Sequence, residues 1–167
     1  YGRAAILVSH DRGEAYRLAD RIAVLNRGAL ESFGTKHALF EQPGTLAATL
    51  LTGCKNISRA HRTGEHELFA EDWQITLHSA APVPENLSYV GIRAHFFSLC
   101  EGEAENTPRM EAVQIIEDAF SYLVMAKKAD SDAAPVRWEI EKIAWQGLGL
   151  KEFYLHFPAD RLILLER

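Results

Sequence analysis

The stretch Ala4-Ala5-Ile6-Leu7-Val8-Ser9-His10-Asp11 decides how the first third of the chain is read. Five apolar residues run straight into a Ser-His-Asp triplet, and a helical pattern begins at once. An apolar run of this length predicts a strand over residues 4–8, buried between neighbours in an α/β sheet. A strand that ends on a titratable residue would place His10 at the carboxyl edge of such a sheet, where open α/β folds present chemistry.

Working outward, Asp11-x-x-Glu14 has the form of a capping box. Ala15, Leu18, Ala19 and Ile22 follow at helical spacing and predict one apolar face. Asp20-Arg21 breaks that helix, and residues 22–25 read as a strand. Asn26-Arg27-Gly28 is a turn, after which residues 29–33 return as another strand ending at Gly34. Thr35 is placed to cap a helix through Glu41, and Thr45 a second one through Leu51. Residues 1–53 therefore read as strand, helix, hairpin and two short helices, too little to close a sheet alone. The abrupt opening at Tyr1-Gly2-Arg3 suggests a fragment cut from a longer protein.

Gly53 marks a change of regime, because period-2 patterning takes over beyond it. Strands are predicted over residues 56–62, 67–70, 73–78, 88–94, 110–118, 121–127, 136–141 and 152–157, with a last extended piece at 162–165. Trp73, Ile75 and Leu77 alternate with Gln74, Thr76 and His78, as on a half-buried strand. Many short strands with turn residues between them predict a small antiparallel barrel or sandwich over residues 54–167. The class expected for the whole chain is α+β: a short α/β remnant followed by a mostly antiparallel, OB-like β-barrel.

Composition sets outer limits. The chain has 167 residues, is 47% hydrophobic and carries a formal charge of −5. That is a globular chain able to bury a core, and without a basic cluster it is no nucleic-acid binder. Residues 1–55 hold seven basic and five acidic side chains, net +2, whereas residues 56–167 hold eleven and eighteen, net −7. The asymmetry supports two segments of different origin. Cys54 and Cys100, isolated from each other, read as reduced thiols rather than a disulfide framework. No apolar run approaches membrane-spanning length, so a cytoplasmic location is expected.

The residues now quoted carry a resemblance. Ile6-Leu7-Val8-Ser9-His10-Asp11, Glu14-Ala15, Leu18-Ala19-Asp20-Arg21-Ile22-Ala23-Val24-Leu25, Gly28 and Gly34-Thr35 resemble the C-terminal end of an ABC-transporter ATPase subunit. Thr52-Gly53-Cys54-Lys55-Asn56 with a β-rich tail resembles the molybdate (oxyanion) importer type. Val90-Gly91-Ile92-Arg93 and Phe153-Tyr154-Leu155-His156-Phe157-Pro158 resemble the TOBE regulatory domain. The resemblance implies that His10 is the switch-loop histidine, whose imidazole N–H would stabilise the shifting charge of a transferring phosphoryl group. It implies ATP and Mg²⁺ as cofactors of a full-length parent, a second copy of the chain and membrane-spanning permease subunits as partners, and a place at the inner face of the cell membrane. The chain itself has no Gly-x-x-x-x-Gly-Lys-[Ser/Thr], no acidic strand end upstream and no signature motif, so no cofactor is expected in it and His10 alone cannot hydrolyse ATP.

Within the β-rich segment an oxyanion ligand would need Lys or Arg beside polar donors. Lys55, Asn56, Ser58 and Arg59 at the joint, and Arg93, are the candidates. The plainer alternative is that Arg93 pairs with a carboxylate and that Ser58 and Arg59 lie on the solvent face of a strand. His61 and His66 with Glu65 and Glu67 span a turn rather than one face, and are read as exposed polar residues rather than a metal site. Three functions stay open: an importer's regulatory and dimerisation domain, a stand-alone anion sensor, or a purely structural dimerisation domain.

Overall fold

A computed structural model describes residues 4–145 and 151–166. The chain divides into two compact units, Tyr1–Gly53 and Cys54–Arg167.

In the first unit, α1 (Arg12–Leu18) starts at Asp11, whose carboxylate accepts from Glu14 N at 2.8 Å. The antiparallel hairpin β1 (Arg21–Asn26) and β2 (Ala29–Thr35) turns through Arg27 and Gly28, both at positive φ, as a tight two-residue hairpin loop requires. Thr35 caps α2 (Lys36–Glu41) and Thr45 caps α3 (Leu46–Leu51), each side chain accepting a backbone N–H three residues on. Val24, Leu39 and Ala48, with Ile22 against them, form a small core.

Two expectations fail here. Residues 4–8 form no strand: Ile6 is 96% and Val8 92% exposed. An apolar strand of that kind is held by neighbours on both edges, and among the described residues of this unit the only sheet is the β1–β2 pair. The apolar face expected of the first helix is likewise not buried, and Ile22 belongs to β1 instead.

Among the described residues the second unit has ten strands. β10 (Val136–Glu141), β9 (Ser121–Lys128), β8 (Arg109–Glu117), β11 (Glu152–His156) and β7 (Ser98–Cys100) lie side by side in that order. β12 (Ile163–Leu165), β6 (Tyr89–Ile92), β3 (Asn56–Arg62), β4 (Glu67–Ala70) and β5 (Ile75–His78) form the second sheet. Every pairing is antiparallel. The α+β class stands, but the described strands make two five-stranded sheets and no closed barrel.

The two sheets share one core. Leu68, Leu77 and Val90 of one sheet and Val124, Val136 and Trp138 of the other belong to a single buried cluster. Phe157 packs edge-on to Phe97 at 4.8 Å and beside Trp73 at 6.0 Å. β5 begins at Ile75 rather than Trp73, since Gln74 takes φ 55° in a turn whose N–H returns to Glu71 O. Two short elements carry no sequence signal: β7, and a one-turn helix α4 (Lys142–Trp145).

Candidate functional site

The joint residues open β3. Its ladder with β6 pairs Asn56 with Ile92 and Arg59 with Tyr89. Lys55 and Arg93 therefore flank the Asn56–Ile92 end, while Ser58 and Arg59 lie toward the other. The pairing brings Cys54, Lys55, Asn56 and Arg93 to one end of the two strands.

Asn56 is buried, and its amide is spent on the opposite sheet. Its Nδ2 donates to Arg137 O at 2.8 Å and its Oδ1 accepts from Arg137 N at 2.6 Å. Ser58, also buried, donates to Arg59 O at 2.7 Å and accepts from Asp72 N at 2.9 Å. Arg59 forks onto Asp72 Oδ1 through Nε at 3.1 Å and Nη2 at 2.9 Å, and its backbone N–H donates to Asp72 Oδ2 at 2.8 Å. The hydrogen bond from Arg59 is the first cause that holds Asp72 below the usual carboxylate range, and the same bond raises Arg59.

Asn56 and Ser58 spend their side-chain polar atoms within the fold, and Arg59 forks onto Asp72 at the surface; Lys55 is exposed and Arg93 half-buried. The thiol of Cys54 lies at this end, fully buried. Burial pushes it up, against a smaller opposing pull from the charge of Arg93.

His10 is exposed, in the first unit. Its neighbour Asp11 is committed to capping α1, which lowers Asp11 chiefly through the Glu14 N–H. The residues present do not by themselves make a site for ATP and Mg²⁺. The sequence has no phosphate loop, and the segment leading to His10 is not built into a sheet.

Three histidines of the second unit pair locally. His61 Nδ1 meets Glu71 at 3.0 Å, His78 Nε2 meets Glu67 at 3.3 Å, and His66 Nδ1 lies 3.0 Å from Ser79 O. Among the described residues no three His, Cys, Asp or Glu side chains are placed to hold a metal ion.

Sequence reasoning missed a concavity of about 500 Å³ beside β11, lined by Leu99, Glu101, Arg109, Glu152 and Tyr154 among others. A second, of about 440 Å³, shares Arg109 and Tyr154 and adds Lys128. Arg109 bridges the carboxylates of Asp130 and Glu152, which occupy its charge. No spacing in the sequence links Arg109, Lys128 and Tyr154; strand pairing alone gathers them.

No family model matches the chain. It is 30% identical over 124 residues to the sn-glycerol-3-phosphate import ATP-binding protein UgpC 3 of Agrobacterium fabrum, covering 71% of this chain and 34% of that protein. It is 33% identical over 93 residues to the spermidine/putrescine import ATP-binding protein PotA of Thermobifida fusca, covering 54% and 24%. A PotA of Bacillus thuringiensis matches at 28% over 139 residues, covering 83% and 38%. Its homologues are ATP-binding subunits of ABC importers. The matches span between 24% and 38% of the length of these importer subunits.

Among solved structures, the cytoplasmic molybdate-binding protein ModG, with molybdate bound, superposes with a TM-score of 0.51 at 15% identity. The match covers 67% of this chain and 96% of that one. It shows the fold. A share that large requires the β-rich unit, since Tyr1–Gly53 is less than a third of the chain.

Proposed function

We propose that this chain is part of the ATP-binding subunit of an ABC importer, with the Cys54–Arg167 unit acting as its regulatory and dimerisation domain. One observation carries the reading. A match to an importer subunit over 83% of the chain is too long to fit within either compact unit, so both units together have their counterpart there.

In the whole subunit, ATP and Mg²⁺ would supply the driving chemistry, held for the most part by residues other than those described. His10 would serve as the switch-loop histidine, aimed at a phosphoryl oxygen. The partners are a second copy of the chain and membrane-spanning permease subunits, with the protein at the inner face of the membrane. No described helix is long and apolar enough to cross one. An oxyanion such as molybdate is the favoured solute and regulatory ligand, supported by the ModG-like fold and by Lys55 and Arg93 at the joint.

Equilibrium dialysis of the chain against molybdate, tungstate and sulfate tests the regulatory reading. Saturable binding of molybdate and tungstate, weakened by Lys55→Ala and Arg93→Ala, is expected. No binding of any of the three would leave a purely structural dimerisation domain. That alternative draws on Asn56, Ser58 and Arg59, whose polar groups are already engaged within the fold.

A further inference from the structure

The concavity of about 440 Å³ is walled by strands of both sheets of the second unit. Thr76 comes from β5, Lys128 from β9 and Tyr154 from β11, with Glu103 and Pro108 from the loop before β8. Lys128 is half-buried, and its ammonium gives one N–H to Gln74 O at 2.8 Å. An ammonium has three donors, so two remain. The acids nearest in sequence are spent elsewhere: Asp130 on Arg109 and Asp132 on the Gln74 amide. No carboxylate among the described residues pairs with Lys128, whereas Arg109 on the same wall is offset by Asp130 and Glu152.

Thr76 and Tyr154 bring hydroxyls that have no hydrogen-bond partner among the described residues. Thr76 also offers its backbone. Ser79 N donates to His66 O on the β4 side of β5, and alternation along an antiparallel strand then turns His78 and Thr76 to the outer edge. Asn106 closes that edge at His78, accepting from its N–H and donating to its C=O at 2.7 Å each. The N–H of Thr76, two residues back, opens on the same edge beside the hollow.

These donors select the ligand. One uncompensated cation, two hydroxyls and a backbone N–H, reaching the hollow from three strands, suit a group with several acceptor oxygens and negative charge, as a phosphate has. The volume is that of a small-molecule site rather than of a bare ion, and Ile75, Pro108 and the Tyr154 ring supply apolar wall. Glu103, exposed on the rim and without an ion pair among the described residues, disfavours a second anionic group.

We propose that this hollow binds a small phosphate monoester, its phosphoryl oxygens on Lys128, Thr76 and Tyr154 and its organic body against Pro108 and Ile75. None of Lys55, Asn56, Ser58, Arg59 and Arg93 lines it, so the site is separate from the joint and independent of any oxyanion bound there. A ligand held here fastens β5 to β9 and β11 across the two sheets.

Calorimetric titration of the chain with phenyl phosphate, inorganic phosphate and phenol tests this. Phenyl phosphate should bind saturably, inorganic phosphate more weakly and phenol not at all. Lys128→Gln should weaken phenyl phosphate about tenfold or more, and Thr76→Val about threefold to tenfold, as the loss of a charged and of a neutral hydrogen bond would. Glu103→Gln should tighten it, and Lys55→Ala should leave it unchanged. Thr76 and Glu103 are exposed, so these two variants fold whatever Lys128→Gln does, and circular dichroism checks all of them. Absence of saturable phenyl phosphate binding would overturn the proposal. So would binding that Lys128→Gln and Thr76→Val leave unchanged, binding of phenol as tight as of its phosphate, or binding lost in Lys55→Ala, which would put the anion at the joint.

Discussion

Asn56 and Arg137 are joined by a two-way clasp across the sheets: Asn56 Nδ2 donates to Arg137 O, and Arg137 N donates to Asn56 Oδ1. Each is the first or second residue of its strand, and 81 positions separate them in the chain. The clasp satisfies two backbone groups of β10 that its ladder with β9 leaves open on the far edge. A buried amide spent in this way is a fastening between sheets before it is a ligand-binding group.

Removing it should therefore cost stability directly. Asn56→Ala is expected to destabilise the second unit by about 2 kcal/mol, because Arg137 N and O lose their partners in a buried setting. Asn56→Asp keeps one acceptor but replaces the donor to Arg137 O, and should cost as much or more. Urea unfolding followed by tryptophan fluorescence measures both.

The Arg59–Asp72 fork makes stability depend on acid pH. Asp72 is depressed in the folded state, so its contribution is complete above the ordinary Asp value of about 3.9 and fades as pH falls through the lower folded value. The gap in Tm between the wild type and Asp72→Asn should be constant near neutral pH and shrink on acidification below about pH 4. Calorimetry across that range gives the profile. A gap that widens toward low pH would oppose this assignment.

The two thiols should separate by reactivity. Cys54 is fully buried with its ionisation disfavoured, and its Sγ donates to Asn56 O at 3.3 Å. Cys100 is only half-buried, on β7. A thiol-reactive chromophore should label Cys100 promptly and Cys54 only after denaturant is added.

Trp138 is buried among Phe153 and Trp145, with ring centroids at 5.4 and 5.9 Å. Truncation to Ala should cost about 3–5 kcal/mol through the cavity it leaves. Trp138→Phe, which keeps most of the volume, should cost much less. Thermal unfolding distinguishes the two.

Much of the β-rich unit was legible. β3, β4 and β10 fall where the period-2 pattern put them, and Trp73, Ile75 and Leu77 are the buried side of their segment. The caps at Asp11, Thr35 and Thr45 were legible because a side-chain acceptor before a helix is a local signal. Three residues of β7 cannot display a period, and its single pairing with β11 comes from far along the chain. The run at residues 4–8 misled for the opposite reason: its pattern is strong, but a strand exists only with a partner. The sequence left a barrel and a sandwich both open, because period-2 alternation marks a strand's buried side but not its neighbours: β3 pairs with β6 at residues 56–59 and with β4 at residues 60–62. At the joint, residue type suggested an anion site, and only the fold showed Asn56, Ser58 and Arg59 engaged elsewhere.

The importer-subunit reading is tested most directly by sequencing the coding DNA ahead of Tyr1. It predicts an in-frame Gly-x-x-x-x-Gly-Lys-[Ser/Thr] loop and, between it and His10, an apolar strand ending on acidic residues. Those parts would supply the phosphate cradle and the Mg²⁺ ligands that His10 needs for phosphoryl transfer. A reading frame that starts at or just before Tyr1, or that encodes an unrelated domain, would contradict it.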